Sequence, residues 1–190
     1  MNTNTSIGSG SHVHVAETTR LRLRELDGCD AAFIVELLND PDFITYVGER
    51  GVRTPEDARR YIASGPAASY ARHGFGLYVM ELKTPVIAAG LCGLLRRDTH
   101  PDVEIGFAVL PRFRRCGYTL EAARAVMQLA LGSLGLTRIV ALAAPANLGS
   151  IRILEALGLA FEREVTFAED GRESRLFVLD AARVDTLSSR

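Results

Sequence analysis

The chain has no tryptophan and only three cysteines and seven prolines in its 190 residues. Cys29, Cys92 and Cys116 stand far apart, so neither a paired zinc-ligand spacing nor an even disulfide framework is present. A reducing compartment follows, and the cytoplasm is the expected location. An excess of one charge is also lacking: 22 basic residues meet 23 acidic ones for a formal net charge of -1, which argues against a dedicated nucleic-acid surface. No apolar run approaches the roughly 20 residues that span a bilayer, and no apolar secretory segment opens the chain. A soluble protein is expected. There is no Gly-x-x-x-x-Gly-Lys-Ser/Thr run, which sets aside a P-loop nucleotide site, and no internal repeat.

Hydrophobic residues make up 47% of the chain, enough for one globular domain with a sizeable core. We place that domain at residues 16–182. Residues 1–15 are rich in Ser, Thr, Asn and Gly and read as a flexible tail, with His12 and His14 as solvated residues of that tail rather than metal ligands. Residues 183–190 form a second tail. Arg20-Leu21-Arg22-Leu23-Arg24 alternates at strand period, with its leucines on one face and its arginines on the other. Ala31 to Leu38 reads as a helix ending before Asp40-Pro41. Thr54-Pro55-Glu56-Asp57 supplies an N-cap, a first-turn proline and two acids for a helix running to about Arg72. Gly76–Leu82 and Val86–Leu95 form a hairpin across Lys83-Thr84-Pro85, and Val103–Leu110 continues the sheet. Arg138–Ala143 is a strand, Ser150–Leu157 a helix closed by Gly158, and Leu159–Phe167 with Arg172–Leu179 a last hairpin across Glu169-Asp170-Gly171.

The most informative stretch runs from Val103 to Tyr118 and on into a helix from Thr119 to Leu134. An apolar strand stops at Pro111, and a turn rich in arginine feeds the helix N-terminus, where orphan N–H groups and a positive dipole favour phosphate oxygens. A phosphorylated cofactor is the expected ligand.

The order of these elements resembles the Gcn5-related N-acetyltransferase (GNAT) superfamily over Glu17 to Asp180. The Gln/Arg-x-x-Gly-x-Gly/Ala signature of that superfamily is met by Arg114-Arg115-Cys116-Gly117-Tyr118-Thr119 at its first and fourth positions, with Thr119 at the last. Glu17-Thr18-Thr19-Arg20-Leu21-Arg22-Leu23-Arg24, Asn39-Asp40-Pro41, Gly117-Tyr118 with Glu121-Ala122, Asn147-Leu148-Gly149-Ser150 and Leu154-Glu155-Ala156-Leu157-Gly158 are similar to the ribosomal-protein N-terminal acetyltransferase (RimJ/RimL-like) branch. The resemblance implies an α/β (α+β) GNAT fold, a mixed, mostly antiparallel sheet of about seven strands flanked by about four helices. It implies an enzyme that uses acetyl-CoA to acetylate a primary amine, a protein or peptide N-terminus in this branch, by direct transfer in a ternary complex. A monomer or homodimer is expected, with no membrane or nucleic-acid partner.

Carried over by position, the resemblance places Phe107, Ala108 and Val109 beside the pantetheine arm, through backbone groups that pair with it as another strand would. Phe107 and Val109 can equally fill the core. Arg114, Arg115, Cys116, Gly117, Tyr118 and Thr119 would wrap the pyrophosphate, or else form a solvated basic turn capping a helix. Cys116, at a helix N-terminus beside arginines, also permits a reading as a thiol nucleophile, whereas the family uses that position for its backbone. Glu104 is the candidate general base, acting through water, its alternative being a surface glutamate on an alternating strand. Ser150 matches the position that protonates or hydrogen-bonds the departing thiolate, or it caps a helix. Asn147 holds the pantetheine amide or terminates a strand. Glu169 lies near where some relatives carry a second acid, and a solvated turn is the reading preferred for it. No metal is expected. Two other functions fit the same chain: acetylation of a small amine such as an aminoglycoside, polyamine or amino-acid-like acceptor, and non-catalytic sensing of acyl-CoA. Acceptor contacts are expected from Asn39–Arg53 and the last hairpin.

Overall fold

A computed structural model describes residues 13–97, 101–166, 171 and 173–180. Eight strands form one sheet in the order β1-β2-β3-β4-β5-β6-β8-β7. They are β1 (His14–Glu17), β2 (Leu21–Arg24), β3 (Leu77–Lys83), β4 (Val86–Arg96), β5 (Val103–Val109), β6 (Arg138–Ala143), β7 (Ala160–Thr166) and β8 (Glu173–Asp180). All pairings are antiparallel except β5 with β6. The sheet thus has one strand more than expected. β1 begins at His14, inside the segment read as a tail, because its backbone pairs with β2 from His14↔Arg24 to Glu17↔Arg22 and its Val15 and Ala16 pack on the core.

The helices divide between the two faces. On one lie α1 (Ala31–Leu38), α2 (Pro41–Tyr46), α3 (Pro55–Ile62) and α4 (Ala68–His73), the last two joined by a π-helical turn at Ala63–Ala67 that contains Pro66. Ile34, Leu37, Ala58 and Ile62 of this layer bury against Val79, Leu91 and Leu110. On the other face α5 (Tyr118–Gln128) and α6 (Leu148–Ala156) cover Tyr78, Met80, Cys92, Leu94, Val103 and Ile105 through Ala122, Ala123, Val126, Ile151 and Leu154. Residues of successive strand positions fall into opposite cores, as a period of two requires. β3 is consequently buried on both sides from Tyr78 to Leu82.

Two local readings change. Asp40-Pro41, read as a helix stop, opens α2: Pro41 occupies the first turn and the Asp40 carboxylate accepts from the Phe43 N–H. Arg24, on the arginine face of a strand whose alternation reads as half-buried, is 5% exposed, held by both oxygens of Asp30 (2.8 and 2.9 Å) and by Glu81 (2.9 Å). That face is covered by the α1–α4 layer, and three ionised groups enter it because they satisfy one another.

Candidate active site

β5 pairs with β4 along its whole length, from Val103↔Arg96 to Val109↔Gly90. Against β6 it pairs only at Val103↔Ile139 and Glu104↔Val140. Beyond Glu104 the two parallel strands part. The Leu110 N–H donates to the Ala89 carbonyl (2.9 Å) on the β4 side, so by alternation Ala108, Gly106 and Glu104 also turn their backbone groups to β4. Phe107 and Val109 therefore present their N–H and C=O groups to the gap, whereas the Ile105 N–H serves the last pairing with β6 at Val140. Of the three residues expected beside the pantetheine, Phe107 and Val109 have backbone groups available and Ala108 does not, because β4 takes them. The side chains of Phe107 and Val109 pack on the α5 core and that of Ala108 on the other, so the core-filling reading also holds.

At the end of β5 the chain makes a 3₁₀ turn, Pro111–Phe113, and enters α5 through two left-handed residues, Arg115 (φ 60°) and Gly117 (φ 80°). A non-glycine residue in that region costs about 1–2 kcal/mol, so the loop is held there by its neighbours. Arg114 pairs with Asp40 and Asp42 at the start of α2, and Arg112 pairs with Glu36 on α1. Both guanidinium groups are thus committed to tying the loop to the α1–α2 layer, which sequence could not show. Among the described residues Arg115 makes no ion pair. Gly117 stands at the N-cap of α5 with no side-chain cap, leaving the first-turn N–H groups open. Tyr118 packs edge-on to Phe113, Thr119 is buried, and the exposed Cys116 directs its Sγ to the Arg114 carbonyl.

Glu104 lies at the root of the gap, 5% exposed on the α1–α4 side of β5. Arg97 grips it, donating from Nε (2.6 Å) and Nη2 (3.3 Å). The guanidinium is pushed above its ordinary range, first by the hydrogen bond to Glu104, against burial, and then by the charge of Glu104. A buried, paired carboxylate replaces the surface glutamate that alternation allowed. Arg97 itself, just past β4, gave no signal in the sequence. The neighbouring Tyr61 is mostly buried, and burial raises its hydroxyl pKa against the opposing charges of Arg50 and Arg97. A cleft of about 250 Å³ opens beside Leu95, the register partner of Glu104, and is lined by Tyr61, Arg72, His73, Leu77 and Arg96.

On the far side of the gap, β6 leads into α6. Here the cap is Asn147, whose Oδ1 accepts from the Ser150 N–H (3.1 Å). The capping role considered for Ser150 therefore belongs to Asn147, and Ser150 stands in the first helical turn, half-buried. Leu154 is fully buried in the core. Glu169 lies outside the described residues.

The site thus gathers strand backbone, an open helix N-terminus and a buried carboxylate around one gap. The residues present fit an extended thioester cofactor bearing a pyrophosphate. Residues 20–160 match the family described as the acetyltransferase (GNAT) domain. YkkB of Bacillus subtilis is 29% identical over 151 residues, covering 78% of this chain and 86% of that one. The N-acetyltransferase YnaD of the same organism is 26% identical over 145 residues (76% and 82%). A GNAT-family acetyltransferase structure from Bordetella pertussis superposes with a TM-score of 0.71 at 27% identity, covering 86% of this chain and 98% of that one. RimL, the ribosomal L7/L12 alpha-N-protein acetyltransferase, shares the fold at TM-score 0.76 and 15% identity (91% and 97%), and at 0.67 and 16% identity (88% and 97%) in its complex with coenzyme A. With this gap, this loop and these relatives, the chain belongs to the GNAT acetyltransferase family and is an N-acetyltransferase.

Proposed function

We propose that this enzyme takes the acetyl group of acetyl-CoA to the α-amino group of a protein or peptide, by direct transfer with donor and acceptor bound together. The single observation that carries the reading is the edge of β5 at Phe107 and Val109, unpaired among the described residues, which ends at the uncapped N-terminus of α5. When bound, the cofactor supplies an activated thioester. Phe107 and Val109 hold its pantetheine arm through their backbone, and the N–H groups of Cys116, Gly117, Tyr118 and Thr119, with the Arg115 side chain, hold its pyrophosphate. The Asn147 amide nitrogen is left to donate to the arm, since only its oxygen is used as the cap.

Glu104 takes the proton of the attacking amine through a water, and Arg97 fixes the carboxylate in one orientation. The Ser150 hydroxyl, in the first turn of α6, hydrogen-bonds the departing sulfur. Holding amine and thioester in register itself removes several kcal/mol of barrier, on the order of 7 for a well-oriented pair. Among the described residues the cleft beside Leu95 is lined by Arg72, Arg96 and His73 without a carboxylate, which disfavours a polycationic acceptor.

A panel of N-terminal peptides, polyamines and aminoglycosides, each incubated with acetyl-CoA and read by thiol release, tests this. Peptide-dependent release that disappears when the peptide N-terminus is blocked is the expected result. Release with small amines alone would move the acceptor to that class, and none with any member would leave acyl-CoA sensing.

A further inference from the structure

Arg20 stands at the junction of β1 and β2, about a hundred residues from the cofactor loop in sequence, yet its guanidinium lies across that loop. Nε donates to Glu121 Oε2 (2.7 Å), Nη2 pairs with the same oxygen (2.7 Å), and Nη1 donates to the Cys116 carbonyl (3.0 Å). The guanidinium carbon sits 4.5 Å from the centre of the Tyr118 ring. Glu121, in the first turn of α5, is fixed in turn: its Oε1 accepts from the Thr18 hydroxyl (2.6 Å) and the Arg20 backbone N–H (2.9 Å). The Thr18-x-Arg20 pair and Glu121 therefore form one clasp.

We infer that Arg20 is a positioning residue that aims the Gly117 N–H at the cofactor pyrophosphate, an inference that rests on the cofactor reading above. The peptide between Cys116 and Gly117 is planar and trans, so its carbonyl and its N–H point in opposite directions. Drawing the carbonyl onto Arg20 turns the N–H away from Arg20, to the open side of the loop. Arg115 and Gly117, left-handed on either side of Cys116, let this short turn reach that orientation. An ideal Cβ on Gly117 would come within 3.3 Å of Arg20 Nη2, so the arginine rests directly on the turn. Arg20 is not itself the phosphate's counter-charge, because Glu121 already neutralises it.

That distinction sets the sign of the test. If Arg20 were a charge contact, Glu121→Gln would free it and tighten cofactor binding, and Arg20→Lys would be tolerated. As a positioning group it needs Glu121 and its planar fork, so Glu121→Gln, Arg20→Lys and Arg20→Ala all weaken binding.

Calorimetric titration of the full chain with coenzyme A is expected to show losses of about 10- to 100-fold for Arg20→Ala and Glu121→Gln, as for hydrogen bonds to charged groups, with the double variant no weaker than Arg20→Ala alone. The loss should appear in the KM for acetyl-CoA, with kcat within about 3-fold. Acetyl-pantetheine, which lacks the pyrophosphate, should show the same KM with every variant. Unchanged affinity for coenzyme A, tighter binding by Glu121→Gln, or an equal loss for acetyl-pantetheine would overturn the inference. Parent protein that binds no coenzyme A would instead overturn the cofactor reading beneath it.

Discussion

Replacing Glu104 with glutamine removes one negative charge and little else. The amide is isosteric with the carboxylate and keeps an oxygen for Arg97, and the Arg97 side chain, 38% exposed, can recover the rest of its solvation from water. The cost in stability should be about 1 kcal/mol, a shift of about 2–4 °C in melting temperature for a chain of this size. Loss of a proton acceptor is a much larger effect, about 100- to 10,000-fold in rate, or about 2.7 to 5.5 kcal/mol of barrier. Turnover should collapse while the folded protein and its affinity for acetyl-CoA stay nearly intact. Because the group handles the acceptor's proton, the variant should regain part of its rate as pH rises past about 8, the ordinary range of an α-amine, where more acceptor is already neutral. Thiol release followed from about pH 6 to about pH 10 with one peptide, beside a coenzyme A titration, measures both. Turnover within about 3-fold of the parent, or a fall that parallels lost cofactor affinity, would refute the proton-transfer role.

Ser150→Ala should slow the reaction by about 10-fold, less than Glu104→Gln and across the whole pH range, because solvent can also protonate a departing thiolate; the same thiol-release profile checks this. Arg24→Met should destabilise the fold by about 3–5 kcal/mol, since it strands Asp30 and Glu81 in a buried site, and chemical denaturation reads that directly. Glu121 lies below its ordinary carboxyl pKa: burial pushes it up, but the hydrogen bonds from Thr18 and Arg20 and the Arg20 charge outweigh it. A lowered folded-state value means that this stabilisation is full above the ordinary 4.5 and is lost as pH falls through the folded value. Thermal melts in acid should therefore fall more steeply for the parent than for Glu121→Gln below that pH.

Those features that depend on local pattern were legible in the chain. The hairpins, β6, α1 and the turn into α5 follow from alternation, capping residues and Pro or Gly punctuation, and the structure has them within a few residues. β1 escaped because four residues after a polar stretch carry too little pattern, and its place is set by pairing with β2. α2 escaped because Asp-Pro ends one helix and opens the next with the same two residues. The site divides in the same way. The loop and the strand that feed it could be read from motif order, whereas the partners of their charged groups could not. Arg97 on Glu104, Asp40 and Asp42 on Arg114, and Glu121 on Arg20 are contacts between segments far apart in sequence or in a loop without periodicity. Nothing in local sequence distinguishes an arginine that meets a phosphate from one that meets a carboxylate.

The claim that the gap between β5 and β6 receives the cofactor as an added strand is tested most directly by amide hydrogen exchange, residue by residue, with and without acetyl-CoA. The Phe107 and Val109 N–H groups face the gap and should gain protection of about tenfold or more when the cofactor binds, while Ala108, already turned to β4, should change little. Saturating acetyl-CoA that leaves Phe107 and Val109 exchanging as before would contradict the account.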